Sequence, residues 1–282
     1  MTDASDTFAS YEQEWLAAEP ENAVVAIFLP EPLRQPAGAF GCLVHALGEA
    51  AFHIRESQVA ATKLAWWRQE LAEAAFGNPS HPITKTLFAV TAVREIDPAL
   101  WPALAEGALA QLDTPGAGTL DALIEQLDPF FSAVARAQAA LFGCATVNTE
   151  ADAALWTLSH LLRSLPRLDA DEVHLPLPLG LLARHGLTRA ELAYESAQRN
   201  MLVKDFLDEL VLEGNGAFGV SANRALPLRV RAMIDRRRIA GALRAVDPLR
   251  WLTAHPHAGR WRSVWTTWSA ARAARRAQAG MG

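Results

Sequence analysis

Apolar positions recur at spacings of three and four along most of the chain. Phe40, Val44, Leu47, Ala51 and Ile54 form one such stripe. Leu64, Trp67, Leu71 and Ala75 form a second, Phe130 or Phe131 with Val134 and Leu141 a third, and Leu155, Leu158, Leu162 and Leu165 a fourth. Near the end, Trp261, Val264, Trp265 and Trp268 repeat the pattern. This is the period of helices with one buried face. Breaks fall between the stripes, at Gly77-Asn78-Pro79-Ser80-His81-Pro82, at Thr114-Pro115-Gly116 and across residues 173–180, which carry Pro176 and Pro178. Thr188 with Glu191 has the spacing of a capping box. No run of alternating strands appears. The pattern predicts an all-α protein of eight or more helices, with no linker dividing residues 1–282 into separate domains.

Composition agrees. Ala accounts for 55 of 282 residues, and Ala is the strongest helix former. The hydrophobic fraction of 51% and charged fraction of 20% exclude a disordered chain. The net charge of −5 hides a division. Residues 1–223 hold 13 basic and 29 acidic groups, net −16, whereas residues 224–282 hold 13 Arg against Asp235 and Asp247, net +11. An Arg-rich end meets something anionic: a partner, a membrane or the protein's own acidic body. The Trp stripe with Arg260, Arg262, Arg272, Arg275 and Arg276 has two readings. Either the Trp residues close the core while Arg faces water, which is the expected arrangement, or the helix lies on an anionic membrane. No nucleic-acid recognition module is present, so no nucleic-acid partner is expected.

Cys42 and Cys144 stand about a hundred positions apart in apolar surroundings and read as free buried thiols. The opening residues lack an apolar core and no run approaches the ~20 apolar residues of a membrane span. A cytoplasmic location is expected, with the inner membrane face as a possible peripheral site. Gly214-Asn215-Gly216-Ala217-Phe218-Gly219 matches a dinucleotide-binding fingerprint literally. The preceding Phe206, Leu207, Leu210 and Val211 read as helix rather than strand, which removes the context that motif needs.

Two segments are more specific. One runs from Phe28-Leu29-Pro30 through Leu33-Arg34 to Lys63-Leu64-Ala65-Trp66-Trp67-Arg68-Gln69-Glu70-Leu71, then Gly77-Asn78-Pro79-Ser80-His81-Pro82-Ile83. The other is Leu161-Leu162-Arg163 followed by Val173-His174-Leu175-Pro176. Together they resemble the squalene/phytoene synthase family, most clearly over residues 20–215, with residues 224–282 matching only as an Arg-rich helical part. The resemblance implies one domain: an isoprenoid-synthase helical bundle around a central apolar cavity. Catalytic members join two prenyl diphosphates head to head, using two Asp-rich motifs on facing helices that bind Mg²⁺.

Both motifs are eroded here. The first falls on Gly48-Glu49-Ala50-Ala51-Phe52, where Glu49 alone can ligate, and His45 stands where an Arg usually does. The second requires acids at Ser164 and Leu168. Asp169, Asp171 and Glu172 lie just beyond, displaced along the helix. The resemblance leaves Arg163, and more weakly His45, as diphosphate-binding candidates. Glu49, Asp169, Asp171 and Glu172 are the catalytic candidates, with no metal site expected. The leading expectation is a pseudoenzyme without a cofactor, holding an isoprenoid or lipid or acting with a protein partner, like the family's non-catalytic branch associated with assembly of respiratory complex I. The alternative is an active prenyltransferase that condenses farnesyl or geranylgeranyl diphosphate through atypical acidic ligands and Mg²⁺. Phe52 and Trp156 are large enough to decide whether the cavity stays open.

Overall fold

The computed structural model describes residues 4–144, 149–168, 175–214, 217–219, 224–256 and 264–272, and no strand occurs among them. The helices are α1 (Ala4–Ala18), α2 (Glu21–Phe28), α3 (Glu31–Phe52), α4 (Ser57–Ala75), α5 (Pro82–Phe88), α6 (Thr91–Arg94), α7 (Leu100–Leu109), α8 (Leu120–Leu141), α9 (Thr149–Ser164), α10 (Leu179–Arg184), α11 (Ala197–Glu213), α12 (Leu226–Arg244) and α13 (Pro248–Ala254). A 3₁₀ turn, Leu165–Arg167, prolongs α9. A further helical stretch covers 264–272.

The predicted stripes are the buried faces. Leu43 and Leu47 of α3, Leu64 and Leu71 of α4, and Leu155 and Leu158 of α9 enter one core with Trp101 of α7, Phe130 of α8 and Phe206 of α11. The predicted breaks are built as stops. After α4, Gly77 adopts φ +94°, its N–H donates to the Ala74 carbonyl at 3.0 Å, and the Asn78 N–H donates to the Glu73 carbonyl at 3.0 Å. That double closure satisfies the last carbonyls of the helix and favours glycine at the turning position. The Thr188–Glu191 capping box forms, but it opens a 3₁₀ helix, Arg189–Ala193, rather than an α-helix.

The segment that carries the family resemblance is a structural knot. Glu70, buried on α4, accepts from the backbone N–H groups of Ser80 at 2.8 Å and His81 at 2.9 Å, and from the hydroxyls of Ser80 and Thr84. Burial alone would raise its pKa, but these donors outweigh that and hold it below the ordinary carboxylate value. His81 caps α5, its Nδ1 accepting from the Ile83 N–H at 3.2 Å, and Nε2 lies 3.2 Å from the Tyr11 hydroxyl. Burial pushes the His81 pKa down, and a neutral ring protonated at Nε2 fits both contacts. The rings of Trp66 and Trp67 stand edge-on to it, with centroids 5.7 and 4.7 Å away.

Among the described residues of the C-terminal Trp stripe, Trp265 does not close the core: it is 63% exposed, while Thr266, Thr267, Ala270 and Ala271 are buried. Ala270 and Ala271 pack with Val25 and Leu29 near α2 and with Leu226, Val230 and Ile234 of α12. Small side chains let the final stretch approach α12 closely, and the Arg237 guanidinium donates to the Thr266 hydroxyl at 2.6 Å. Trp261, Arg260, Arg262, Arg275 and Arg276 lie outside the described residues. Two of the Arg residues from the basic end meet the acidic body. Arg224 reaches Asp152 at 2.6 Å, and Arg231 reaches Glu19. No helix among the described residues is long and apolar enough to cross a membrane.

Candidate functional site

A cavity of about 470 Å³ opens between α1, α2, α3, α8, α9 and α12. Such a volume lies in the range of small-molecule pockets. Two features of α3 make room for it. Gly41 lets Trp15 of α1 lie against the helix, since a Cβ there would come within 2.2 Å of the indole. Gly48, one of the cavity-lining positions, has nothing within 4 Å of where its Cβ would be. Phe52 and Trp156 do not fill the space. Phe52 is turned against Phe130, Phe131 and His160, with centroids 5.9, 6.2 and 4.3 Å away, and forms part of the wall. Trp156 is held aside by its indole N–H, which donates to Gln138 at 3.0 Å.

The places of the two Asp-rich motifs carry other chemistry. Gly48 leaves a gap and Phe52 an aromatic wall. The Ser164 hydroxyl donates back to the His160 carbonyl at 2.9 Å, and Leu168 is buried in the core. Glu49 lines the cavity, as do His45 one turn before it and His53 one turn after it. Across from them stands Arg167, whose Nη1 is 2.8 Å from His53 Nε2 and 3.7 Å from Glu49 Oε1. Because a guanidinium only donates, the His53 Nε2 accepts and the ring proton sits on Nδ1. Among the described residues, no group of three or more His, Cys, Asp and Glu is placed to hold a metal. Mg²⁺ takes near-octahedral oxygen coordination, so Glu49 facing a guanidinium does not fit it. Asp169, Asp171 and Glu172 lie outside the described residues.

Arg163 is committed to the chain's own carboxylates. Its Nε donates to Asp235 at 3.1 and 3.3 Å, Nη1 meets Glu21 at 2.8 Å, and Glu19 stands 3.6 Å away. Burial alone would lower its pKa; Asp235, Glu21 and Glu19 overcome that and raise it. Glu19 also pairs with Arg231. Despite its own burial, Arg231 and Arg163 hold Glu19 down at about 2. Arg231 further donates to the Ser159 hydroxyl at 3.0 Å and lies 4.2 Å above the Trp156 ring. Ser159 in turn donates to Asp235 at 2.5 Å. The cavity wall thus holds an internal ionic network of Arg163, Arg231 and Arg238 with Glu19, Glu21 and Asp235.

The model of the squalene/phytoene synthase family matches residues 17–269. The chain belongs to the squalene/phytoene synthase family. Solved structures share its fold. A dehydrosqualene synthase in complex with ligand superposes with a TM-score of 0.70 at 14% identity, covering 97% of this chain and 98% of its own. The squalene synthase HpnC from Alicyclobacillus acidocaldarius gives a TM-score of 0.51 at 13% identity, over 95% and 96% of the two chains. No curated protein matches the sequence.

For a squalene/phytoene synthase-family chain, sequence reasoning placed Glu49, His45 and Arg163 at the cavity and read His53 as a core or lining residue, but missed Arg167 and the acids that engage Arg163. Part of that signal was present. Arg231, Asp235 and Arg238 recur at four and three on α12, so one helix face repeats charge among buried neighbours.

Proposed function

We propose that this chain holds an isoprenoid or another lipid in its central cavity, in a role other than metal-dependent prenyl transfer. The observation that carries the reading is the pairing of Glu49 with Arg167 across the cavity, a cation in the region where the family resemblance implies Mg²⁺. Gly48, Phe52, Ser164 and Leu168 add no carboxylate oxygen there. Head-to-head condensation through atypical acids would need Glu49 to leave that pairing and join Asp169, Asp171 and Glu172.

The cavity can be tested apart from folding. Gly48→Leu sends a side chain into open space while replacing a mid-helix glycine, a change that favours the helix by up to about 1 kcal/mol. Titrated with farnesol as probe, the variant is expected to bind at least about tenfold more weakly, a difference of ~1.4 kcal/mol, with an unchanged or higher melting temperature. Equal affinity in the two proteins would place the ligand elsewhere.

A part in assembling other proteins, as in the family's non-catalytic branch, belongs to the same proposal. So does docking on an anionic membrane, supported by exposed Trp265 and by Arg272, whose guanidinium lies 5.2 Å from the Trp268 ring. Sedimentation with vesicles containing anionic lipid checks the second. Trp265→Ser is expected to lower the bound fraction, and an unchanged fraction would remove the final stretch from the account.

A further inference from the structure

The least buried wall of the cavity is α1, and this matters if the cavity is a lipid site. Glu12, Trp15, Leu16 and Ala18 of that helix line the space. Yet none of residues 7–18 is buried, whereas α3, on which α1 rests, buries ten of its 22 residues. The face that α1 turns to the body is a single stripe, Phe8, Tyr11 and Trp15, partly buried against the core. Segments with so few buried apolar contacts open locally, far below the free energy of unfolding the whole chain.

The contacts that keep α1 down are few, and the joint behind it is firm. Tyr11 meets His81 Nε2 at 3.2 Å, one hydrogen bond between neutral groups. Where the stripe reaches α3 it finds glycines. A Cβ at Gly41 would stand 2.2 Å from the Trp15 indole, and one at Gly38 would stand 3.2 Å from Glu12 Oε1. At those two positions no side chain of α3 interlocks with α1. Only Glu19 and Pro20 join α1 to α2. Glu19 is pinned to the body: its carboxylate accepts from Arg231 and from Asn22 at 2.9 Å, and Arg163 stands 3.6 Å away. The ring of Pro20 fixes φ at −66°. A helix that is loosely seated but tethered at a fixed point can swing without drifting away.

We propose that α1 is the lid of the cavity. It swings about Glu19 and Pro20 to admit an apolar chain and shuts over it, with Trp15 on Gly41 and Tyr11 on His81 as its catches. Shut, Trp15 and Leu16 face the chain, so a bound chain and a closed lid favour each other.

Amide hydrogen exchange of the full chain tests this, with farnesol as the probe and its binding followed in parallel by tryptophan fluorescence. Without farnesol, the amides of residues 11–18 are expected to exchange at least about tenfold faster than those in the middle of α3. At a farnesol concentration ten times its Kd they should slow about tenfold, because only the shut form holds the chain. Gly41→Ala pushes Trp15 off its seat while favouring α3 as a helix. In that variant exchange of α1 should rise several-fold and that of α3 should not. Two results overturn the lid and leave the lipid-site reading standing: α1 amides as slow as those of α3 in the unliganded chain, or farnesol binding that leaves α1 exchange unaltered. Unchanged α1 exchange in Gly41→Ala overturns the catch at Trp15. If the variant fails to fold, the unaltered chain decides alone. No farnesol binding at all overturns the lipid-site reading and the lid with it.

Discussion

Asp235→Asn is expected to destabilise the chain by about 3–5 kcal/mol, the usual cost of removing one charge from a buried ion pair. Asp235 is fully buried. Its two oxygens take the Ser159 hydroxyl and the Arg163 Nε, while Arg163 Nη2 lies 3.1 Å from Oδ1. Arg238 has no other carboxylate within ion-pair distance among the described residues. Asparagine keeps the shape and one acceptor but leaves two buried guanidiniums short of charge, and it is this uncompensated burial that carries the cost. Urea unfolding with an unchanged m-value measures it. The contrast is Glu209→Gln. Glu209 meets Arg184 at 3.1 Å on the surface, where water screens the pair, and the loss there should stay within about 1 kcal/mol. Equal effects from the two substitutions would mean that the internal network contributes nothing special.

Glu70→Ala should cost about 2–4 kcal/mol, for a different reason. Here no ion pair is broken. One buried carboxylate gathers four donors from the turn that starts α5: the N–H groups of Ser80 and His81 and the hydroxyls of Ser80 and Thr84. Hydrogen bonds to a charged acceptor are each stronger than neutral ones but do not add in full. Alanine removes the acceptor, leaves the Thr84 hydroxyl buried without it, and frees the turn that holds His81 between Tyr11 and Trp67. Thermal melting reads the loss. Glu70→Gln, which can still accept from two of the four, should recover part of it, whereas a Glu70→Ala melt equal to the parent would show that the turn is fixed by packing alone.

These two sites show why the sequence was legible unevenly. The helical period exposed α3, α4, α8 and α9 because each buries one face against one core, so a local pattern reports a global arrangement. The family signature around Trp66, Trp67, Glu70 and His81 was legible for a related reason: its parts lie within 15 positions of one another and close onto themselves. Yet this signature does not line the cavity. It records how the fold is fastened, not what the cavity does.

The site was harder to read because its contacts span the chain. Arg163 meets Asp235 across 72 positions, and Arg231 meets Glu19 across 212. No spacing rule links such pairs. The Glu49–Arg167 pairing depends on the 3₁₀ turn that continues α9, which moves Arg167 off the α-helical register its sequence position would imply. The C-terminal Trp stripe failed differently. Periodicity identified a face, but the buried face is the one with small residues, since only those let the final stretch settle against α12. Loss of the Asp-rich motifs, in contrast, was plain from the sequence, because it needed only the identity of four residues: Gly48, Phe52, Ser164 and Leu168.

The central claim is that this squalene/phytoene synthase-family chain binds in its cavity without transferring a prenyl group. Incubation of the full chain with radiolabelled farnesyl or geranylgeranyl diphosphate and Mg²⁺ tests it most directly. The label is expected to be recovered as unreacted diphosphate, whereas a head-to-head condensation product that disappears in Glu49→Ala would contradict the account.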